Sequence, residues 1–288
     1  MALPAGFETR RVHVNGVALS VVVGGPEAGP LVVLLHGFPE SWRAWRHQLG
    51  PLASAGYRVV APDQRGYAHS EKPAPIEAYE KDVLARDALA LVEAFGRKEA
   101  FFVTHDWGGV VGWWLAIRYP AQVRKLVVMN LPHPAVFSRA LRTLRQLRRS
   151  WYVFLFQLPW LPEWLLARDG FAWPVRILRS TSRPGSFPDD ELRAHQAEWS
   201  VPGSLRGMLA WYRAAGRVAS PPMPPGLVSP PVLVVWGEQD VALGLEMAAP
   251  SVAACRDGRL LSIPDGGHYV QHDAAEEVTR HVLAFLAE

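Results

Sequence analysis

What most narrows the folds open to this chain is a recurrence of short, unbroken apolar runs: LVVLLH from Leu31, RVVAP from Arg58, AFFVTHD from Ala100, KLVVMN from Lys125, then PVLVVWGEQD and LLSIPDGGH after a long interval. Runs this short and this apolar suit strands buried on both faces. Between RVVAP and AFFVTHD, the segment KDVLARDALALVEAFG puts Val83, Leu84, Ala88, Leu91, Val92 and Phe95 on one helical face and stops at Gly96. AAEEVTRHVLAFL is a closing helix of the same kind. Strands alternating with helices imply an α/β fold, a mainly parallel sheet with helices on both faces. Ahead of it, RVHVNGVALSVVV predicts a hairpin turning at Asn15 and Gly16.

The interval differs in composition, holding six of the twelve tryptophans and no buried strand run. It is expected to be a helical cap over 135–218, inserted into a core formed by 1–134 and 219–288. Its most apolar stretch, WYVFLFQLPWLPEWLLA, is broken by Pro159 and Pro162 and carries Gln157 and Glu163, so it predicts buried or pocket-lining helices and not a membrane span. SRALRTLRQLRRS sets Leu141, Leu144 and Leu147 against Arg139, Arg142, Arg145 and Arg148. An ordinary amphipathic cap helix with a solvated basic side is the expectation, ahead of a basic face for membrane or nucleic acid. The proline-rich SPPMPPGLVSPP then returns the chain to the sheet as a stiff linker.

Composition excludes more than it selects. With 30 basic and 27 acidic side chains the net charge is +3, too small to imply a nucleic-acid partner. Cys255 is the only cysteine, which rules out an internal disulfide and a cysteine metal cluster and suits a cytoplasmic, reducing location. The start, MALPAGFETRRVHV, has no apolar stretch of signal-peptide length.

The chemistry concentrates at strand ends. VTHDWGGVVGWW has the build of a nucleophile elbow, a strand, a sharp turn and a helix opening on small residues, with Asp106 at the apex and Gly108 and Gly109 allowing close approach. No G-x-S-x-G occurs in the chain. An acid and a histidine follow in the order this arrangement requires, Asp240 after VLVVW and His268 in PDGGHYVQHD. In HGFPESW, His36 and Gly37 turn the chain so that the Phe38 N–H points toward the elbow, to join the Trp107 N–H as an oxyanion hole, and Pro39 fixes that turn. Asp63 and Asp265 are expected to brace loops, and His133, His272 and His281 to be structural.

HGFPESW, HDWGG, WGEQD and GGHYVQ together resemble the α/β-hydrolase fold enzymes and, within them, the epoxide hydrolases, across essentially the whole chain. The resemblance implies that Tyr152 in WYVFLFQ and Tyr212 in WYRAA are the cap tyrosines that donate to an epoxide oxygen. It also implies a small apolar or aromatic epoxide as substrate and neither metal nor organic cofactor. An aspartate suits attack on a saturated carbon, because the resulting ester can be cleaved at the enzyme's own carbonyl, whereas serine would be left as an inert ether. Thr104 departs from the family, standing where glycine is usual, and is expected to loosen the packing beside the elbow. Haloalkane dehalogenases share the aspartate elbow and a neighbouring tryptophan, but some carry asparagine where Phe38 stands, and the cap tyrosines have no halide role. A non-catalytic binding protein on the same fold is the remaining alternative, one that an incomplete triad would favour.

Overall fold

The computed structural model describes residues 3–288, and every apolar run named above lies in a strand. The strands are β1 (Glu8–Val14), β2 (Val17–Gly24), β3 (Leu31–Leu35), β4 (Arg58–Pro62), β5 (Ala100–His105), β6 (Val123–Met129), β7 (Val232–Gly237) and β8 (Gly258–Ile263). They form one sheet in the order β1-β2-β4-β3-β5-β6-β7-β8. β1 and β2 are a hairpin with Val14 opposite Val17, and Asn15 and Gly16 adopt φ of 44° and 76°, the left-handed pair that a two-residue turn demands. β2 pairs antiparallel with β4, and from β4 to β8 all pairings are parallel.

The period of two along β3 divides its side chains between two cores: Leu31, Val33 and Leu35 join one, Val32 and Leu34 the other. Helices cover both. α1 (Leu49–Ser54), α2 (Lys81–Ala94) and α3 (Trp107–Arg118) connect the earlier strands. Between β6 and β7 lie α4 (Pro134–Ala140), α5 (Leu144–Arg149), α6 (Trp151–Leu155), α7 (Leu161–Ser180), α8 (Asp189–Trp199) and α9 (Ser204–Arg217). α10 (Ala248–Val252), α11 (Val270–Asp273) and α12 (Ala275–Ala287) complete the chain. α2 and α3 cover the first core with Leu84, Leu91, Trp113 and Leu115, while α1 and α12 cover the second with Leu49, Leu52, Val278 and Val282. Burying each such side chain stabilises the fold by about 1.5–3 kcal/mol.

Several sequence expectations change here. The looser packing expected beside Thr104 does not form, because Gly112 of α3 leaves the room: a Cβ there would lie 2.9 Å from Thr104 Cγ2. The Thr104 hydroxyl is satisfied by donating to the Val127 carbonyl at 2.8 Å. SRALRTLRQLRRS is not one helix. Thr143 accepts from the Gln146 N–H and caps a new start, so Gln146 turns inward, where its Nε2 donates to Ser150 and to the Ala242 carbonyl, and Leu144 is left outside. In WYVFLFQLPWLPEWLLA, α6 spans only Trp151–Leu155, so one side alone can face the core. Phe156 is buried, whereas Trp151, Phe154, Leu158, Trp160 and Trp164 are exposed, contrary to the expected buried helices. α7 breaks at Arg168–Phe171, where Asp169, Gly170 and Phe171 all take positive φ. No helix among the described residues is long and apolar enough to cross a membrane.

Candidate active site

β5 ends at His105 and α3 begins at Trp107, which leaves Asp106 alone on the turn at φ 48°, ψ −118°, a conformation that L residues rarely adopt. The turn closes only because glycine stands at two contacts. A Cβ on Gly108 would lie 2.0 Å from the Leu35 carbonyl oxygen, and one on Gly37 would lie 2.4 Å from Asp106 Cβ. Asp106 thereby reaches the carboxyl end of the sheet, where loops after parallel strands converge.

Two different groups face its oxygens. Oδ1 accepts from the Phe38 N–H at 2.8 Å, and Oδ2 lies 3.7 Å from His268 Nε2. On its other side His268 Nδ1 meets Asp240 Oδ2 at 2.8 Å. Asp240 Oδ1 accepts from the Ala242 and Leu243 N–H groups at 2.7 and 2.9 Å, so this buried carboxylate is fully occupied. The two tyrosines come to the same place from the helices above. The Tyr212 ring centre is 4.8 Å from that of Trp107 and 5.3 Å from that of Phe38, and Tyr152 stands 6.2 Å from Tyr212. Phe156 closes the group at 5.0 Å from Tyr212.

The loop that presents Phe38 is held carbonyl by carbonyl. Gln64 Nε2 donates to His36 O, the Glu40 N–H to Gly37 O, Tyr269 Oη to Phe38 O at 3.1 Å, and Trp199 Nε1 to Pro39 O at 2.6 Å. The Phe38–Pro39 bond is cis.

A family model for the alpha/beta hydrolase fold matches residues 30–275. The AB hydrolase superfamily protein YfhM of Bacillus subtilis is 37% identical over 98% of both chains. Epoxide hydrolase 4 of Mus musculus is 36% identical over 96% of this chain and 79% of its own length. The crystal structure of the Bacillus megaterium epoxide hydrolase in complex with an inhibitor superposes with a TM-score of 0.89 at 32% identity, covering 97% of this chain and 100% of the other. The chain belongs to the epoxide hydrolases of the α/β-hydrolase fold.

In this epoxide hydrolase framework, burial sets the electrostatics first and specific partners then correct it. Burial raises the Asp106 carboxyl, with His268 and the Phe38 and Trp107 N–H groups pulling the other way. Burial would also raise Asp240, but His268, the Leu243 N–H and Asn130 overcome it and hold the acid low. His268 would be lowered by burial, yet the carboxylates of Asp240, Asp106 and Glu40 lift it to about 9. The Tyr152 and Tyr212 hydroxyls are raised, by burial and then by the Asp106 charge, so both keep their protons.

Some of this site was invisible in the sequence. Asn130 Nδ2 donates to Asp240 Oδ2 at 2.7 Å while its Oδ1 accepts from the Gly237 N–H at 3.0 Å, tying the acid to the neighbouring strand. Its one signal was its place at the end of KLVVMN. His105 Nε2 lies 2.9 Å from the His268 carbonyl oxygen. Glu40, a charge inside HGFPESW, is buried 2.7 Å from His272 Nε2, and burial raises it to about 8. Of the residues expected to be structural, His272 meets this buried Glu40, and Asp63, Asp265 and His133 lie apart. Asp63 accepts from the Trp42 and His69 N–H groups, Asp265 pairs with Arg183 at the surface, and His133 caps α4.

Proposed function

We propose that this chain opens apolar or aromatic epoxides to vicinal diols through an ester of Asp106, with residues 135–218 acting as the cap over the site. Epoxide hydrolysis follows from the family. The observation that carries the mechanism is the division of labour between the two Asp106 oxygens, one on the Phe38 N–H and the other open on the His268 side.

In the first half, Asp106 Oδ2 attacks an epoxide carbon and the C–O bond of the ring breaks. Tyr152 and Tyr212 donate to the ring oxygen, and one of their protons completes the hydroxyl of the ester; the proton of the resting His268 cation replaces it on the tyrosine and leaves His268 neutral. In the second half, His268 takes a proton from water, and the hydroxide adds to Asp106 Cγ. The negative charge collects on Oδ1, beside the Phe38 and Trp107 N–H groups, where one such donor is worth about 3 kcal/mol. Collapse breaks the bond between Cγ and the diol oxygen, the proton of the added hydroxyl passes to that oxygen, and Asp106 is again a carboxylate beside a cationic His268. Esterification removes the Asp106 charge, one of the groups that raise His268. More of His268 is therefore in the neutral form that the second half needs in the ester than in the resting enzyme. The aromatic surround of Phe38, Trp107, Phe156 and the tyrosines supports the choice of apolar substrates. The lone Cys255 supports a cytoplasmic setting.

The deciding experiment is a single turnover with enzyme in excess over a styrene-type epoxide in oxygen-18 water. The first diol takes its new oxygen from the protein and is unlabelled, while the peptide containing Asp106 gains the heavy isotope. A first diol that carries solvent oxygen, with an unlabelled peptide, would falsify the ester route.

A further inference from the structure

Amphipathic helices in a cap normally turn their apolar residues inward, and between Leu144 and Trp164 this one does not. Leu144 is 75% exposed, Phe154 61% and Trp160 72%, and Trp151, Leu158 and Trp164 are exposed with them. The pattern follows helical geometry. Trp151 and Phe154 share a face of α6, Trp160 caps α7 and Trp164 lies in its first turn, with the Arg168 guanidinium, itself 3.2 Å from Asp169, 5.4 Å from the Trp164 ring.

The adjoining charge is mainly basic. Residues 138–150 carry Arg139, Arg142, Arg145, Arg148 and Arg149 and no carboxylate, in a chain whose net charge is only +3. Among the described residues, Arg139, Arg142 and Arg148 have no carboxylate within ion-pair distance, and Arg145 has only the exposed Glu246 at 3.6 Å. The acid inside the apolar stretch, Glu163, is already neutralised by Arg213 at 2.6 Å.

We propose that this face of the cap docks on the surface of an anionic lipid bilayer. Tryptophan and phenylalanine beside unpaired arginines match a membrane interface, where aromatic rings enter the headgroup layer and guanidinium groups meet lipid phosphates. A second copy of the chain fits less well, since a two-fold contact through this face would set the arginines of one protomer against those of the other. Tyr152 lies on α6 between Trp151 and Phe154, so docking brings a wall of the active site toward the bilayer, where apolar molecules concentrate. The binding itself does not depend on the reaction proposed above.

The test is co-sedimentation of the full chain with vesicles of phosphatidylcholine alone or of phosphatidylcholine with phosphatidylglycerol, at low and high salt. The wild-type chain sediments with the anionic vesicles only, and less so in high salt. R142E/R148E weakens partitioning by about 30-fold or more, and W160S/W164S by about tenfold, while both variants still turn over a water-soluble epoxide at the wild-type rate. If either variant misfolds, the salt and lipid dependence of the wild-type chain decides alone. Equal sedimentation with both vesicle types, or with neither, overturns the proposal. So does a dimer in analytical ultracentrifugation that W160S/W164S splits, which would assign the face to a second copy.

Discussion

At the scale of single residues, the two halves of the reaction are separable. Tyr152→Phe and Tyr212→Phe each leave the developing alkoxide one donor short in a dry pocket, so each is expected to slow ester formation by about a hundredfold and leave ester hydrolysis nearly unchanged; rapid-mixing tryptophan fluorescence separates the two rates. His268→Gln gives the reverse, and intact-protein mass spectrometry should find alkylated enzyme accumulating. The pH dependence divides in the same way. His268 is raised to about 9 and is cationic in the resting enzyme at neutral pH. Ester formation needs ionised Asp106 and the protonated tyrosines, whose hydroxyls are raised, and should stay level from neutral pH toward 9. Ester hydrolysis needs neutral His268 and should rise with pH through a value below 9, because the Asp106 charge is gone; identical pH profiles for the two steps would contradict the assignment. The convergence of Asp106, Asp240 and His268 was legible because each follows a strand within a local motif. Asn130 was not, because its role exists only where β6 lies beside β7, a distance of 110 residues along the chain.

Secondary elements show where local pattern and tertiary packing disagree. The hairpin turn at Asn15 and Gly16 and the stop of α2 before Gly96 follow from backbone preferences and were readable. The fate of Leu144 was not, since the leucine spacing alone favours one helix and Thr143 interrupts it only where Gln146 finds partners inside. Thr104 makes the complementary point: a residue unusual for the family is accommodated by an absent side chain one helix away. Gly112→Ala would bring a Cβ within 2.9 Å of both Thr104 and Leu126, so it should destabilise the protein by about 1–3 kcal/mol, and Thr104→Ala in the same chain should recover part of the loss, as read by urea denaturation. The oxyanion loop offers a second test. Tyr269→Phe removes the donor to Phe38 O and should lower kcat while changing KM little, since the proposed mechanism uses the Phe38 N–H in the transition state and not in binding.

For the whole molecule, the helices between β6 and β7 are fastened to the core by buried charge. Arg43 Nε donates to Glu198 at 2.8 Å, and its Nη1 lies 3.7 Å from the fully buried Glu191. Arg43→Ala leaves both carboxylates with His195 as their remaining partner and should cost about 3 kcal/mol, seen as a lower Tm, with Glu198→Gln in the same chain returning part of it. Burial alone would raise Glu198, but His195 and Arg43 hold it below its ordinary value of 4.5. Its contribution is therefore present above pH 4.5 and is lost as pH falls through the lower folded value, so acid should loosen this fastening. The route by which the helices leave the sheet matters as much. Leu126–Met129 pair directly with Val232–Val235, so the outgoing and returning chains are adjacent strands. The molecule has in effect a narrow neck, with Asp106 and His268, the proposed nucleophile and base, below and the helices proposed to contact the rest of the substrate above. Insertions, deletions or an exchanged segment beyond that neck leave the sheet register intact, so such a lineage can change which molecules it accepts while inheriting its chemistry whole.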